Sequence, residues 1–410
     1  MLEQFNLFWT TFYARPDFWQ IIAIPFVAGL IGWGTNWLAV QMTFYPAKFI
    51  GLWNPWLGWQ GIIPRKAEKM TGIMIDNTLA KISTLEEFFR QMEPEKIAMH
   101  VVRVTDARLE ELVDEVMSER NAVLWENLPT VLKRRAYSQA RKQLPQMLDN
   151  LIDDMGQNIE NLVDLKAMIV NQLRRDTSLL IRVFKECGAA EFKFVINSGG
   201  YFGFLFGIGQ MFAWILYPQL WTLPLAGFAV GWITNWLALN LIFRPLNPVQ
   251  LGPFRFQGLF LRRQNEVSET FCRIITSEIL TVGHLMNEVF KGPKSQHSRA
   301  MIKRHLRPIL EGGITRTVAQ MAVGLEGYVE LKRSIEEKAI EFSLRSFDDP
   351  VFNKQRGEMV QNLFCERMQA MTPAEFQDLL RPAFQEDEWI LILIGGVLGA
   401  AAGFGQVLLM

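Results

Sequence analysis

Asn36 and Asn235 each follow a threonine, and each stands in an uncharged, strongly apolar segment. An amide in that setting needs a partner, because leaving it unsatisfied in hydrocarbon is costly. Two chemistries meet that need. The amide can bond a neighbouring helix, or its oxygen can hold an ion or a lipid headgroup. Thr35 and Thr234 are read as bonding their own helix backbone rather than a substrate. Gln210 and Gln406 are further polar candidates. A second chemistry is electrostatic: Arg65 and Lys66 close one proline- and glycine-rich stretch, and Arg262 and Arg263 close another. Basic pairs there can hold lipid phosphates or serve as ordinary positive anchors.

Other chemistries lack their residues. The chain has no HExxH, Walker loop, G-x-S-x-G or metal-spaced Cys/His cluster. His100, His284, His297 and His305 are scattered, and no metal site is expected from the eight-residue spacing of the last two. Cys187, Cys272 and Cys365 lie far apart and read as free thiols. With 42 basic and 42 acidic residues, no global field draws in nucleic acid. No cofactor is expected, and the chain reads as non-enzymatic.

The elements that must position these residues are membrane spans. Segments 18–44, 197–217, 219–243 and 389–410 carry no charged residue. Each is about 20 residues or longer, enough to cross a ~30 Å hydrocarbon layer. The absence of an ionisable group within them argues against a proton-driven carrier. Segment 1–17 lacks the basic region and cleavage site of a signal peptide.

The spans are related. Gly32–Pro46 reads GWGTNWLAVQMTFYP and Gly231–Pro245 reads GWITNWLALNLIFRP, with nine of fifteen positions identical. Gly199–Gln210 (GGYFGFLFGIGQ) and Gly395–Gln406 (GGVLGAAAGFGQ) share five glycines and the glutamine. The chain therefore reads as a tandem duplication. Each copy holds an entering span, a helical domain and a returning span, so the two copies are parallel. The glycine face (Gly199, Gly200, Gly203, Gly207; Gly395, Gly396, Gly399, Gly403) allows close helix approach. Phe228 stands where the first copy has Gly29. Asn36 lies eight residues from the end of its span, about 12 Å deep at 1.5 Å per residue. At equal depth it should face Gly199 and Gly200, and Asn235 should face Gly395 and Gly396. Gln210 and Gln406 should lie near the opposite leaflet.

Spans two and three are joined around Pro218, so the long intervals share one side. Lys48, Arg65, Lys66, Lys69, Arg244, Arg255, Arg262 and Arg263 begin those intervals, and the positive-inside rule puts them in the cytoplasm. Both termini then face outward across a bacterial inner membrane. Residues 45–66 and 244–263 read as interfacial elbows, with Trp53, Trp56 and Trp59 at headgroup level and prolines that exclude a continuous helix. Residues 67–196 and 264–388 read as two helical domains, with helix starts or breaks at Pro94, Pro129, Pro145, Gly292-Pro293, Gly312-Gly313 and Asp349-Pro350. The basic stretch from His297 to Arg307 reads as a solvated face. The fold class is an all-α integral membrane protein with four transmembrane helices in two tandem parallel repeats, each with a cytoplasmic helical domain.

The paired GWxTNWLA-F-P signatures, the Gln-Gly step before arginine and the GGxxGxxxGxxQ returning span resemble domain-of-unknown-function family 445, the YjiN/YheB-like bacterial inner-membrane proteins. The resemblance covers essentially the whole chain. It implies an integral membrane protein and supplies no reaction. Leu261 departs from the pattern at the position of Pro64, which raises the question of whether both elbows share one geometry. Two functions fit these features. One is a membrane scaffold that presents cytoplasmic helices to a partner, and the other is handling of a lipid or small amphiphile. Expected partners are membrane lipids, with a second copy of the chain or another protein beside them.

Overall fold

The computed structural model describes residues 13, 18–53, 57–76, 82–378 and 388–409. The expected outward segment 1–17 falls outside these apart from Tyr13, as do Pro55, Trp56 and Met410. In chain order the main elements are helix α1 (Phe18–Phe44), strands β1 (Ile50–Trp53) and β2 (Leu57–Trp59), then helices α2 (Pro94–Glu126), α3 (Thr130–Gln157), α4 (Ala189–Leu216) and α5 (Thr222–Phe243). Strands β3 (Val249–Leu251) and β4 (Phe254–Phe256) and helices α6 (Ser295–Glu311), α7 (Gly313–Ser346) and α8 (Glu388–Leu409) follow. Shorter helices fill the intervals.

The chain divides into two compact units. Unit 1 comprises 1–78, 173–271 and 368–410, and unit 2 comprises 79–172 and 272–367. The helical intervals 67–196 and 264–388 are therefore not separate compact domains. The physical reason is that each interval supplies helices with a single apolar face. Val116, Met117, Trp125, Ala136 and Tyr137 from the first share one buried cluster with Val318, Ala319, Tyr328 and Leu331 from the second. Neither set closes a core alone.

Unit 1 holds α1, α4, α5 and α8, each long and apolar enough to cross a membrane. A helix satisfies its own backbone, which is why hydrocarbon selects it. α1 has the bounds read from sequence, and Pro25 lies within it. α4 differs, starting at Ala189 rather than 197. Glu191 and Lys193 end the uncharged run, yet a charge does not end a helix; Gly188 marks the start. α5 begins at Thr222 rather than 219, because Gln219–Trp221 form the turn and Thr222 Oγ1 donates to the Gln219 carbonyl.

Both elbows contain an antiparallel hairpin, β1–β2 and β3–β4, in stretches whose prolines excluded a continuous helix. The Tyr45–Pro46 and Arg244–Pro245 peptides are both cis. In each elbow a glutamine side chain and the following glycine N–H bond back to the strand entry. Gln60 Nε2 donates to Ala47 O at 2.9 Å and Gly61 N to Pro46 O at 3.0 Å. Gln257 Nε2 donates to Leu246 O at 3.1 Å and Gly258 N to Pro245 O at 3.1 Å. Pro64 and Leu261 occupy matching short helices, Ile62–Arg65 and Leu259–Arg262, and both are buried. The exchange of proline for leucine leaves the elbow geometry in place.

In unit 2, Pro94 starts α2 and Pro129 precedes α3. Pro145 does not break α3, which runs through it. Leu144, Leu148, Leu151, Ile152 and Met155 bury one continuous face of that helix, and their packing outweighs the lost backbone bond. α2 is kinked at Asn121, whose side chain accepts from Leu124 N and so recaps the continuing helix. α7 is kinked at Gly324, with φ 76°.

Candidate functional site

The polar residues of the apolar helices converge on two equivalent joints. Asn36 is fully buried, and its Nδ2 donates to Val195 O at 2.7 Å. Asn235 is 4% exposed, and its Nδ2 donates to Leu391 O at 2.9 Å. Each acceptor carbonyl lies four residues before a glycine, Gly199 or Gly395. Within a helix that carbonyl already accepts from the N–H four residues on. A side chain there leans back over the carbonyl, and glycine leaves its second lone pair open. The asparagines therefore read the first glycine of each pair. Gly200 faces Trp33 instead, and Gly396 lies under the Phe228 ring.

The glycine stripe sets this distance. A methyl at Gly32 would overlap the Gly199 carbonyl, and one at Gly199 would overlap the Gly32 carbonyl. Gly203 packs on Ala28 O and Gly207 on Pro25. In the other pair Gly231 meets Gly395, Gly227 meets Gly399, and Gly403 meets Leu223 and Pro224. Thr35 and Thr234 donate to Gly32 O and Gly231 O, each at 3.2 Å. Gln210 and Gln406 lie eleven residues beyond Gly199 and Gly395, about 16 Å along the helix, and do not join the asparagines.

Helix α4 carries Glu191 and Lys193 ahead of the uncharged run that begins at 197, and the first of them is buried. Glu191 belongs to α4 and is 4% exposed. Its position, four residues before Val195 and eight before Gly199, puts it on the asparagine-facing side, a periodicity visible in the sequence. Both carboxylate oxygens accept from Arg263 Nη1, at 2.8 and 2.7 Å. Arg263 Nε and Nη2 fork onto Glu266 at 2.9 and 2.6 Å. These carboxylates raise the Arg263 pKa. Arg263 is thus committed to carboxylates and not presented to a phosphate, which corrects the reading of it as a headgroup ligand. Arg65 and Arg262 are exposed at the ends of their short helices, and Lys66 is half-buried.

A cavity of about 60 Å³ opens beside this pair. It is lined by Thr43, Glu191, Val195, Asn235, Phe260 and Leu391 among others. At the elbow, Leu52 is 98% exposed and Trp53 70% exposed, an apolar hairpin surface following the end of α1.

Unit 2 holds a larger void of about 210 Å³ between α2, α3, α6 and α7. Leu109, Val113, Leu148, Leu306, Leu331 and Phe342 line it, with Lys332 and Lys338 as its charged members. Lys332 Nζ bonds Glu311 at 2.9 Å and Lys338 Nζ bonds Glu115 at 2.6 Å. Hydrogen bonds from Lys332 and Arg307 hold the Glu311 pKa down at about 2. The basic stretch of α6 is not simply a solvated face, because Arg304 and His305 both bond Asp154. Burial, and then the charge of Arg304, lower the His305 pKa. Among the described residues no group of three or more His, Cys, Asp or Glu could hold a metal ion.

No family model matches the chain. Part of it is similar to curated membrane proteins. The UPF0754 membrane protein of Thermosynechococcus vestitus is 35% identical over 89 residues, which is 20% of this chain and 21% of the relative. That of Picosynechococcus is 30% identical over 91 residues, 21% and 22% of the two chains. That of Staphylococcus aureus is 29% identical over 106 residues, 24% and 28% of the two chains. The chain thus spans about a fifth to a quarter of the length of these relatives. Four apolar helices of spanning length and relatives that are membrane proteins give the same answer: this is an integral, almost wholly helical membrane protein.

Proposed function

We propose that the chain is a non-enzymatic inner-membrane protein whose unit 2 takes up the apolar part of an amphiphile, with unit 1 as its membrane anchor. The unit 2 void carries this reading. Protein interiors pack as densely as organic crystals. An empty apolar void deprives its lining side chains of the contacts that dense packing supplies. Water does not offset that in a lining with so few polar groups. A hydrocarbon chain does. The basic groups at the ends of the elbows support a cytoplasmic placement of the helical intervals and outward termini. The repeated joints and elbows support a tandem, parallel arrangement of the two halves, as does the resemblance to family 445. No cofactor or nucleic acid enters this reading.

The test is titration of the purified full chain with a fluorescent fatty acid such as dansyl-undecanoate. Saturable binding of one molecule per chain, abolished by Ala319→Phe, is expected. Ala319 lines the void and is buried, so the larger ring fills it. Absence of binding, together with no co-purified lipid in native mass spectrometry, would overturn the reading and favour the scaffold.

A further inference from the structure

We propose that each elbow binds the phosphate of one anionic phospholipid. Lys185, Tyr45 and Arg65 supply the donors in the first elbow, and Arg244 and Arg262 supply them in the second. Both sites lie in unit 1 and are independent of the amphiphile void.

In the first elbow Lys185 Nζ donates to the Tyr45 hydroxyl at 3.2 Å. It stands 5.0 Å from the centroid of the Tyr45 ring and 5.8 Å from that of Phe44. An ammonium has three N–H donors, so two remain. The Tyr45 hydroxyl accepts from Lys185 and keeps its own proton to donate. Both side chains are exposed, and Lys185 has no carboxylate partner among the described residues. The helix that carries Lys185, Thr177–Cys187, packs against the short helix that ends at Arg65. Arg65 N bonds Gly61 O, one turn back, and a methyl at Gly61 would overlap the Phe44 carbonyl and Tyr45 N. Arg65 is exposed and also has no carboxylate partner among the described residues.

The second elbow reaches the same pattern of charge by another route. Phe243, Arg244 and the cis Pro245 stand where Phe44, Tyr45 and the cis Pro46 do. Arg244 brings its own cation to the position at which Tyr45 holds that of Lys185. Arg262 matches Arg65 at the end of the equivalent short helix. Both arginines are exposed and without a carboxylate partner among the described residues.

Chemistry and position select the occupant. Exposed arginines of the unit 2 helices meet carboxylates one turn away, as Arg90 does with Glu86 and Arg345 with Glu341. The elbow cations do not. Unspent N–H and O–H donors with positive charge are what a phosphate accepts from. Phe44 and Phe243 end apolar helices of spanning length. The donors therefore begin where hydrocarbon gives way to headgroups, and the anion within reach there is a lipid phosphate. Leu52 and Trp53, exposed in the first elbow, suit that boundary better than bulk water.

The test counts phosphatidylglycerol bound to the full chain by native mass spectrometry during titration, with phosphatidylcholine as the zwitterionic reference. Phosphatidylglycerol should bind in excess by two molecules. Lys185→Gln should weaken one of them about tenfold, as loss of a charge-assisted bond predicts, and Arg244→Gln the other. Lys48→Gln removes an exposed cation of the first elbow that bonds neither Tyr45 nor Lys185, and should leave both lipids in place. A molecule in the unit 2 void is common to all variants and cancels. Equal counts for the two lipids would overturn the proposal. So would a Lys48→Gln effect as large as that of Lys185→Gln, which would mean diffuse attraction to a basic surface. Displacement of the lipid by millimolar inorganic phosphate would assign the donors to a free anion and overturn it as well.

Discussion

The side-chain amide of Asn36 is bonded to the main-chain oxygen of Val195, 159 residues away and one turn before Gly199. The bond exists because Gly32 and Gly199 let two helix backbones touch. Asparagine and glycine therefore act as one unit, and the same unit recurs at Asn235, Leu391, Gly231 and Gly395.

Disrupting either member should loosen the helix pair, by different mechanisms. Asn36→Leu removes one interhelical hydrogen bond, worth about 0.6 kcal/mol on average and up to about 1.7 in a membrane. Gly32→Val pushes a side chain into the Gly199 carbonyl and should cost about 1–3 kcal/mol through backbone displacement. Steric-trapping unfolding in bicelles measures both. The glycine variant should be the more destabilised, and the reverse order would mean that packing does not set this joint.

The Glu191–Arg263 pair should behave as a buried ion pair. Arg263→Ala strands a carboxylate that is 4% exposed and should cost about 3–5 kcal/mol. Glu191→Gln in that background removes the stranded charge and should recover much of the loss. A double-mutant cycle on chemical unfolding reads the coupling. Simple addition of the two single effects would show that the pair is solvated instead.

The sequence carried the four apolar helices because an uncharged run of spanning length is a one-dimensional signal, and α1 has the bounds read from it. It also carried the asparagine–glycine joints, because helical rise converts residue counts into depth. What it did not carry depends on pairing across distance. Arg263 and Glu191 are 72 residues apart, and nothing local in either says that one neutralises the other. The elbow hairpins rest on strands of three or four residues, too short for an alternating pattern. The joint core of unit 2 was hidden because an apolar helix face specifies a need for a partner, not its identity.

The first elbow should lie at the membrane surface. Leu52 and Trp53 expose their side chains on a hairpin that follows an apolar helix, whose own Trp33 and Trp37 are exposed. Aromatic rings favour the headgroup level, where one side is apolar and the other wet. The difference in emission between the wild type and Trp53→Phe in liposomes isolates the contribution of Trp53. That signal should be quenched more by lipids brominated near the headgroup than by those brominated at the chain end. Quenching by aqueous iodide alone would place the hairpin in water.

Unit 2 should lose stability in mild acid through His284. Burial lowers its pKa below the ordinary 6.5, and the bond to the Ile279 carbonyl opposes this only in part. The folded pKa is therefore below the unfolded one, and the unfolded chain takes up the proton first as pH falls. Stability is fully present above about 6.5 and declines as pH falls from there through the folded value, because the unfolded state binds more protons in that window. His284→Gln keeps a polar side chain beside Gln172 and Ile279 but does not titrate. Unfolding midpoints measured between about pH 7.5 and 5 should slope downward in the wild type and flatten in the variant. Glu311 acts in a separate, lower window, since its carboxylate is held at about 2 and its contribution is lost only as pH falls from 4.5 toward that value. A wild-type slope that is unchanged in His284→Gln would assign the acid sensitivity to another group.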